Sequence, residues 1–266
     1  MNRLRRPWAL VLAATFAVSL WLAPSVGGET VQHDNLIVSA HGGVFPRQLP
    51  RHGLGPIQIR IAGRIRTTDA KPPPKLLSFS LDVNRHGKVF DRGLPICHRH
   101  QLRNATTRRA LKECRAALVG RGHVSANIFL PDQAPFPAEG TLLAFNSRIH
   151  GHRAVLGHVY GIDPVATTAV VPFIVGRAPG HTFGARITAI LPSVASDWGF
   201  IAGFNMTFGR TYRFHGARHS YMSAGCPAPR GFRGAPYSLA RLSYQFQGEP
   251  PLSTTIQRDC RAARGS

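Results

Sequence analysis

Apolar and polar residues alternate along much of the chain. Ile57, Ile59 and Ile61 alternate with Gln58 and Arg60, and Leu77, Phe79, Leu81 and Val83 alternate with Ser78, Ser80 and Asp82. A period of two sends successive side chains to opposite faces, so both stretches predict half-buried strands. Thr67 to Lys75 lies between them and carries Pro72, Pro73 and Pro74, which have no N–H to give a ladder. It reads as a loop, and Asn84 to Gly87 as a turn. Further strands are predicted at 124–130, 141–145, 154–162, 168–175, 183–191 and 200–208. In the last of these, Phe200, Ala202, Phe204, Met206 and Phe208 share a face, and Tyr212, Phe214 and Tyr221 extend the pattern. Strands at 237–246 and 252–258, joined across Gly248 to Pro251, close the chain.

One stretch departs from this period. Ala110, Leu111, Cys114, Ala117 and Leu118 recur at helical spacing, opposite Arg108, Arg109, Lys112, Glu113 and Arg115. Asn104, Thr106 and Thr107 are candidate caps, and Gly120 is a candidate stop. The pattern predicts an all-β fold, a β-sandwich or jelly roll of ten or more antiparallel strands with one short helix near 106–118. An extended segment, 28–50, precedes a sandwich over 51–266. The turn-rich tract 176–181 is a candidate subdivision, but no long linker separates the halves.

The N-terminus reads as an address. Arg3, Arg5 and Arg6 precede an uncharged apolar run from Ala9 to Ala23, followed by Pro24 and the small residues Ser25, Val26 and Gly27. This is the pattern of a cleaved secretory signal over 1–27, and the run is shorter than the ~20 apolar residues of a spanning helix. The expectation is a protein secreted or held in the cell envelope, with no spanning segment after cleavage. Export in turn predicts that Cys97, Cys114, Cys226 and Cys260 form disulfides. Three pairings are open. The cost of closing long loops favours the local pairs Cys97–Cys114 and Cys226–Cys260.

Composition then narrows the partners. The 266 residues carry 33 Lys and Arg against 12 Asp and Glu, a net charge of +21, and 29 of the 33 cations are arginine. The 43% hydrophobic content excludes a disordered chain. GC-rich codon usage explains part of the arginine excess. The sign of the charge is physical whatever its origin: a surface this basic adheres to polyanions and releases them in salt. No zinc-finger, helix-turn-helix or RNA-binding motif accompanies it, so specific nucleic-acid recognition is not expected. The expected partner is an anionic polysaccharide or other envelope polymer, and no cofactor is expected.

Motifs for catalysis are scarce. Ser223 lies in Tyr-Met-Ser-Ala-Gly, which lacks the first glycine of a nucleophile elbow. Zinc-protease, phosphate-loop and dinucleotide signatures are absent from the sequence. Two lesser readings remain. Jelly rolls host polysaccharide lyases that use a Tyr–His pair beside basic residues. Tyr212, His215, His219 and Tyr221, with Arg210, Arg213 and Arg218, are a local set of those types. A hairpin with aromatics inward and basic residues in water explains the same set without catalysis. His98 and His100, next to Cys97, have a spacing that on a strand can chelate copper or zinc, although no second tight ligand pair is present.

The stretch Gly93-Leu94-Pro95-Ile96-Cys97 through Cys114 to Ala117-Leu118-Val119-Gly120-Arg121-Gly122, with Cys226-Pro227-Ala228-Pro229, Phe232 and Arg258-Asp259-Cys260-Arg261, resembles a group of uncharacterised exported proteins of high-GC actinobacteria. The resemblance covers most of the chain after the leader. It implies an exported β-rich protein with these disulfides, and it carries over no catalytic residue. The leading expectation is a non-enzymatic exported protein that binds anionic or carbohydrate polymers. The alternatives are a polysaccharide lyase or hydrolase and a histidine-based metal binder.

Overall fold

The structure, a computed structural model, describes residues 29–129, 132–163, 165–191 and 199–263. The expected signal, 1–27, lies outside them. The fold is all-β, and among the described residues thirteen strands form one long sheet.

Its first part comes from the N-terminal segment: β1 (Glu29–His33), β2 (Leu36–Phe45) and the two-residue β3 (Gln48–Leu49). After a short β4 (Gly55–Pro56) come β5 (Gln58–Thr67), β6 (Leu76–Asn84) and β7 (Gly87–Val89). The proline-rich loop separates β5 from β6. Two helical pieces follow, α1 (Arg99–Leu102) and α2 (Thr107–Cys114). Then come β8 (Leu118–Ile128), β9 (Phe136–Ile149), β10 (His152–Gly161), β11 (Thr167–Arg177), β12 (Phe183–Ile190) and β13 (Gly199–Phe208). The chain ends with β14 (Thr211–Phe214), β15 (Ala217–Ser220), β16 (Met222–Ala224), β17 (Gly234–Phe246) and β18 (Leu252–Ala262).

The spatial order of the large sheet is β1-β2-β5-β13-β8-β9-β10-β11-β12-β6-β17-β18-β3. Every pair is antiparallel except β18 with β3. The run from β8 to β12 is a meander of neighbours, whereas β5–β13 and β6–β17 join distant parts of the chain. The tract 178–182 is the connection between the paired strands β11 and β12.

The sheet curls until its ends meet. Strand β18 packs against β1 and β2, Thr255 N–H donates to the Glu29 carboxylate at 3.0 Å, and Arg258 Nε donates to Gly42 O at 2.5 Å. Two opposed layers thus come from one continuous sheet, and their inner faces share a core that includes Ile61, Leu81, Val155, Leu242, Tyr244 and Ile256. Two smaller sheets, β14–β15 and β4–β16–β7, flank it.

The helices cover the outside of β9 and β10. Leu143, Phe145 and Leu156 point outward there and pack with Leu102, Ala105, Ala110 and Cys114. Thr106 caps α2 by accepting from Arg109 N–H at 3.3 Å, and Cys114, on the apolar face, is bonded to Cys97. Buried His158 reaches from β10 to Ala105 O at 2.8 Å. The second disulfide, Cys226–Cys260, ties the segment after β16 to β18.

Two local features differ from the alternation pattern. A bulge between Ile201 and Gly203 breaks the face predicted for β13, so Ile201 lines the interior with Phe204, Met206 and Phe208. Asp82, on the polar side of β6, is fully buried, because Arg186 and Arg241 from the neighbouring strands fold over it.

Candidate functional site

The outer face of β2, β5, β13 and β8 is the most distinctive surface. Alternation on β5 turns Ile59, Ile61 and Ile65 into the core and leaves Arg60, Arg64 and Arg66 exposed. Registration across β13 places Arg60, Thr207 and Arg121 in one row, and His41, Ala62, Asn205 and His123 in the next. A third row holds Ser39, Arg64, Gly203 and Ser125, followed by Glu139 on β9. Strand rise and spacing put Arg60 and Arg64 about 13 Å apart and Arg60 and Arg121 about 10 Å apart.

Arg60, Arg64, Arg66 and Arg121 have no ion-pair or hydrogen-bond partner among the described residues. Several acids are occupied elsewhere, while Glu139 stands exposed at the β9 edge of this face. Asp82 is held by Arg186 and Arg241, Asp91 by Arg153 and Arg148, and Asp69 by Asn35 and Lys71. The result is a flat field of guanidinium groups interleaved with hydroxyl and amide side chains. Such groups bind carboxylate, sulfate and phosphate oxygens in two-point contacts.

The tyrosine–histidine set lies on the β14–β15 hairpin and just beyond it. Tyr212 and His219 are cross-strand partners with ring centroids 5.9 Å apart. The Tyr212 hydroxyl donates to Arg92 O at 2.8 Å, and His219 stacks on Phe90 at 4.9 Å. Tyr221 is 3% exposed. Burial pushes both phenols above their usual range, with Asp91 adding to the rise. His215 sits at the hairpin turn with φ 49°, against Phe214. Tyr212, His219 and Tyr221 are therefore brought near one another, but in packing and backbone-bonding roles, with His215 at the turn.

Among the described residues, neither histidine of the His98–His100 pair meets a further ligand. The two rings stack at 5.5 Å in water, and the neighbouring Cys97 sulfur is in a disulfide. A different trio comes together at the end of β1. His33 Nε2 lies 3.9 Å from Asp34 and 3.7 Å from Glu249, which pins β1 to the β17–β18 turn. Sequence spacing gave no sign of it, since Glu249 is over two hundred residues away.

Comparison with known proteins adds nothing to this geometry: no protein-family model, curated protein or solved structure matches the chain.

Proposed function

We propose that this is an exported, non-enzymatic protein that binds an acidic polysaccharide across the outer face of β2, β5, β13 and β8. The observation that carries the reading is the group of arginines at 60, 64, 66 and 121, exposed on one sheet face and, among the described residues, paired with no acid. An extended polymer laid along β5 meets a cation every one or two residue pairs, with Ser39, Ser125, Asn205 and Thr207 available to its hydroxyl groups. Arginine suits this task because its planar fork grips carboxylate and sulfate with two bonds. The leader-like N-terminus and the two disulfides support a place outside the cytosol, where such polymers are found.

The test is binding of polygalacturonate, with neutral dextran as the control polymer, followed by calorimetry over a salt series. The triple variant Arg60→Gln, Arg64→Gln, Arg121→Gln is expected to lose at least about tenfold in affinity. An equal change of charge on α2, Arg108→Gln, Arg109→Gln, Lys112→Gln, is expected to have little effect. Equal losses in the two triples would reduce the effect to net charge and overturn the proposal. So would binding to dextran as tight as to polygalacturonate.

A further inference from the structure

The arginine face has a titratable centre. Between the row of Arg60 and Arg121 and the row of Arg64 runs the row of His41, Ala62, Asn205 and His123. Leu36, Val38 and Ala40 of β2 belong to the core, and Val124 of β8 lines the interior. Alternation therefore turns His41 and His123 to the outer face, and both are exposed. Strand spacing puts them about 14 Å apart, and strand rise puts each arginine row about 7 Å from theirs.

The charged neighbours of this row are mostly cations. His41 lies between Ser39 and Gly43 on β2, and Arg60 and Arg64 are its diagonal neighbours on β5. Arg258 of β18 reaches Gly42 O beside it. Glu29 of β1 stands opposite Ala40, but its carboxylate accepts from Thr255 N–H on β18. His123 lies between Arg121 and Ser125 on β8. It faces Asn205 on β13, and on β9 it faces Thr141, with Leu143 and Glu139 on the diagonals.

We infer, resting on the reading of this face as a polysaccharide site, that protonation of His41 and His123 regulates it, so that an acidic polysaccharide is held more tightly in mild acid than at neutral pH. Histidine is the side chain whose ordinary titration falls between pH 5 and 8, whereas arginine keeps its charge throughout. Imidazolium donates from both ring nitrogens where neutral imidazole donates from one, so protonation adds a bond as well as a charge. Apart from Glu139, the neighbours in the free protein give an imidazolium no counter-charge, and a bound polyanion supplies it. A polymer laid along the line between β5 and β13 has one imidazole on each side, each about 7 Å away. The coupling is reciprocal: what protonation adds to affinity, binding adds to proton uptake.

The experiment titrates polygalacturonate into the disulfide-bonded protein by calorimetry at pH 7.5 and pH 5.5 and constant ionic strength, with circular dichroism to verify the fold at both. Carboxylates of this kind are ionised at both pH values. Affinity is expected to rise about fivefold at pH 5.5, the worth of two exposed charge contacts. Titration at pH 6.5 in two buffers of different protonation enthalpy is expected to show net proton uptake. His41→Gln, His123→Gln, which keeps an N–H at each position, is expected to lose most of the rise and the uptake. His152→Gln, His181→Gln, a pair exposed elsewhere, is expected to keep both. Equal wild-type affinity at the two pH values overturns the inference and leaves the arginine reading standing. So does a rise that survives in the His41, His123 variant, or one that both double variants lose equally. No binding of polygalacturonate at either pH overturns the arginine reading and this inference with it.

Discussion

The Arg186 guanidinium grips the Asp82 carboxylate with two parallel bonds, Nε to Oδ1 at 2.6 Å and Nη2 to Oδ2 at 2.8 Å. Arg241 approaches Oδ2 from the opposite neighbouring strand at 2.6 Å. Burial by itself raises the carboxyl pKa, but the bonds from Arg186 and Arg241 and their charges outweigh it and hold Asp82 below its ordinary 3.8. The carboxylate therefore stabilises the fold fully above about pH 4, and that contribution fades as pH falls through the folded value. Asp82→Asn is expected to cost about 3 kcal/mol at pH 7, near the low end for a broken buried pair because both arginines remain about a third exposed. Urea unfolding of both proteins at pH 7 and pH 2.5 checks this. The gap is expected to shrink at the lower pH, and a gap of equal size at both refutes the assignment.

His158 gives a second pH dependence of the same direction. Its Nε2 faces Ala105 O, so that nitrogen carries the hydrogen, while Nδ1 is buried without a partner. Burial lowers its pKa below the ordinary 6.5, against the opposing pull of its backbone hydrogen bonds. As pH falls below about 6.5 the unfolded chain takes up the proton first, so stability declines there, by at most about 1.4 kcal/mol per pH unit. His158→Gln, which keeps an N–H to offer and does not titrate, is expected to flatten part of the decline between pH 7.5 and 5.5. In the wild type, the His158 imidazole is expected to titrate by NMR at a lower pH than the exposed histidines.

Much of this fold is legible in short stretches of sequence. The Ile57–Ile61 alternation, the triple proline after it and the helical spacing around Cys114 each depend on residues within ten positions, and each element stands where its pattern places it. Closure of the sheet is different. It depends on pairs such as Ile61 with Met206 and Leu81 with Leu242, which no local pattern specifies. The same reason divides the candidate site. Arg60, Arg64 and Arg66 are visible as one polar face, but Arg121 joins them only because β13 lies between β5 and β8. Asp82 looks like a solvated residue until its two partners arrive from over a hundred positions away. Tyr244 sits in an alternating strand like any core aromatic, and only the assembled interior shows that its oxygen is unpaired.

The two disulfides are expected to contribute unequally. Cys97–Cys114 closes 17 residues and Cys226–Cys260 closes 34. Loop-closure entropy assigns them about 3 and about 4 kcal/mol through the unfolded state. The Cys97→Ala, Cys114→Ala variant should chiefly loosen the helical cover on β9 and β10. The Cys226→Ala, Cys260→Ala variant should lower global stability more, because β18 packs against β1 and β2 and brings the two ends of the sheet together. Hydrogen exchange at amides of β9 and β18 separates these outcomes. Equal loss of protection at both strands in both variants would show that the bridges do not act regionally.

Gly63 tests the link between sheet curvature and the interior. It lies on the inward side of β5, and a methyl group there would sit 2.6 Å from Phe204 Cε1 and 2.8 Å from the Tyr244 oxygen. Phe79 packs on both rings. Overfilling a packed interior in this way costs about 1–3 kcal/mol. Gly63→Ala is expected to fall in that range by urea unfolding, with the near-ultraviolet tyrosine signal altered. Gly151 has φ 80° and open space around it, so Gly151→Ala isolates backbone strain from crowding. If Gly63→Ala leaves the tyrosine signal unchanged, the phenol of Tyr244 is not fixed by that contact.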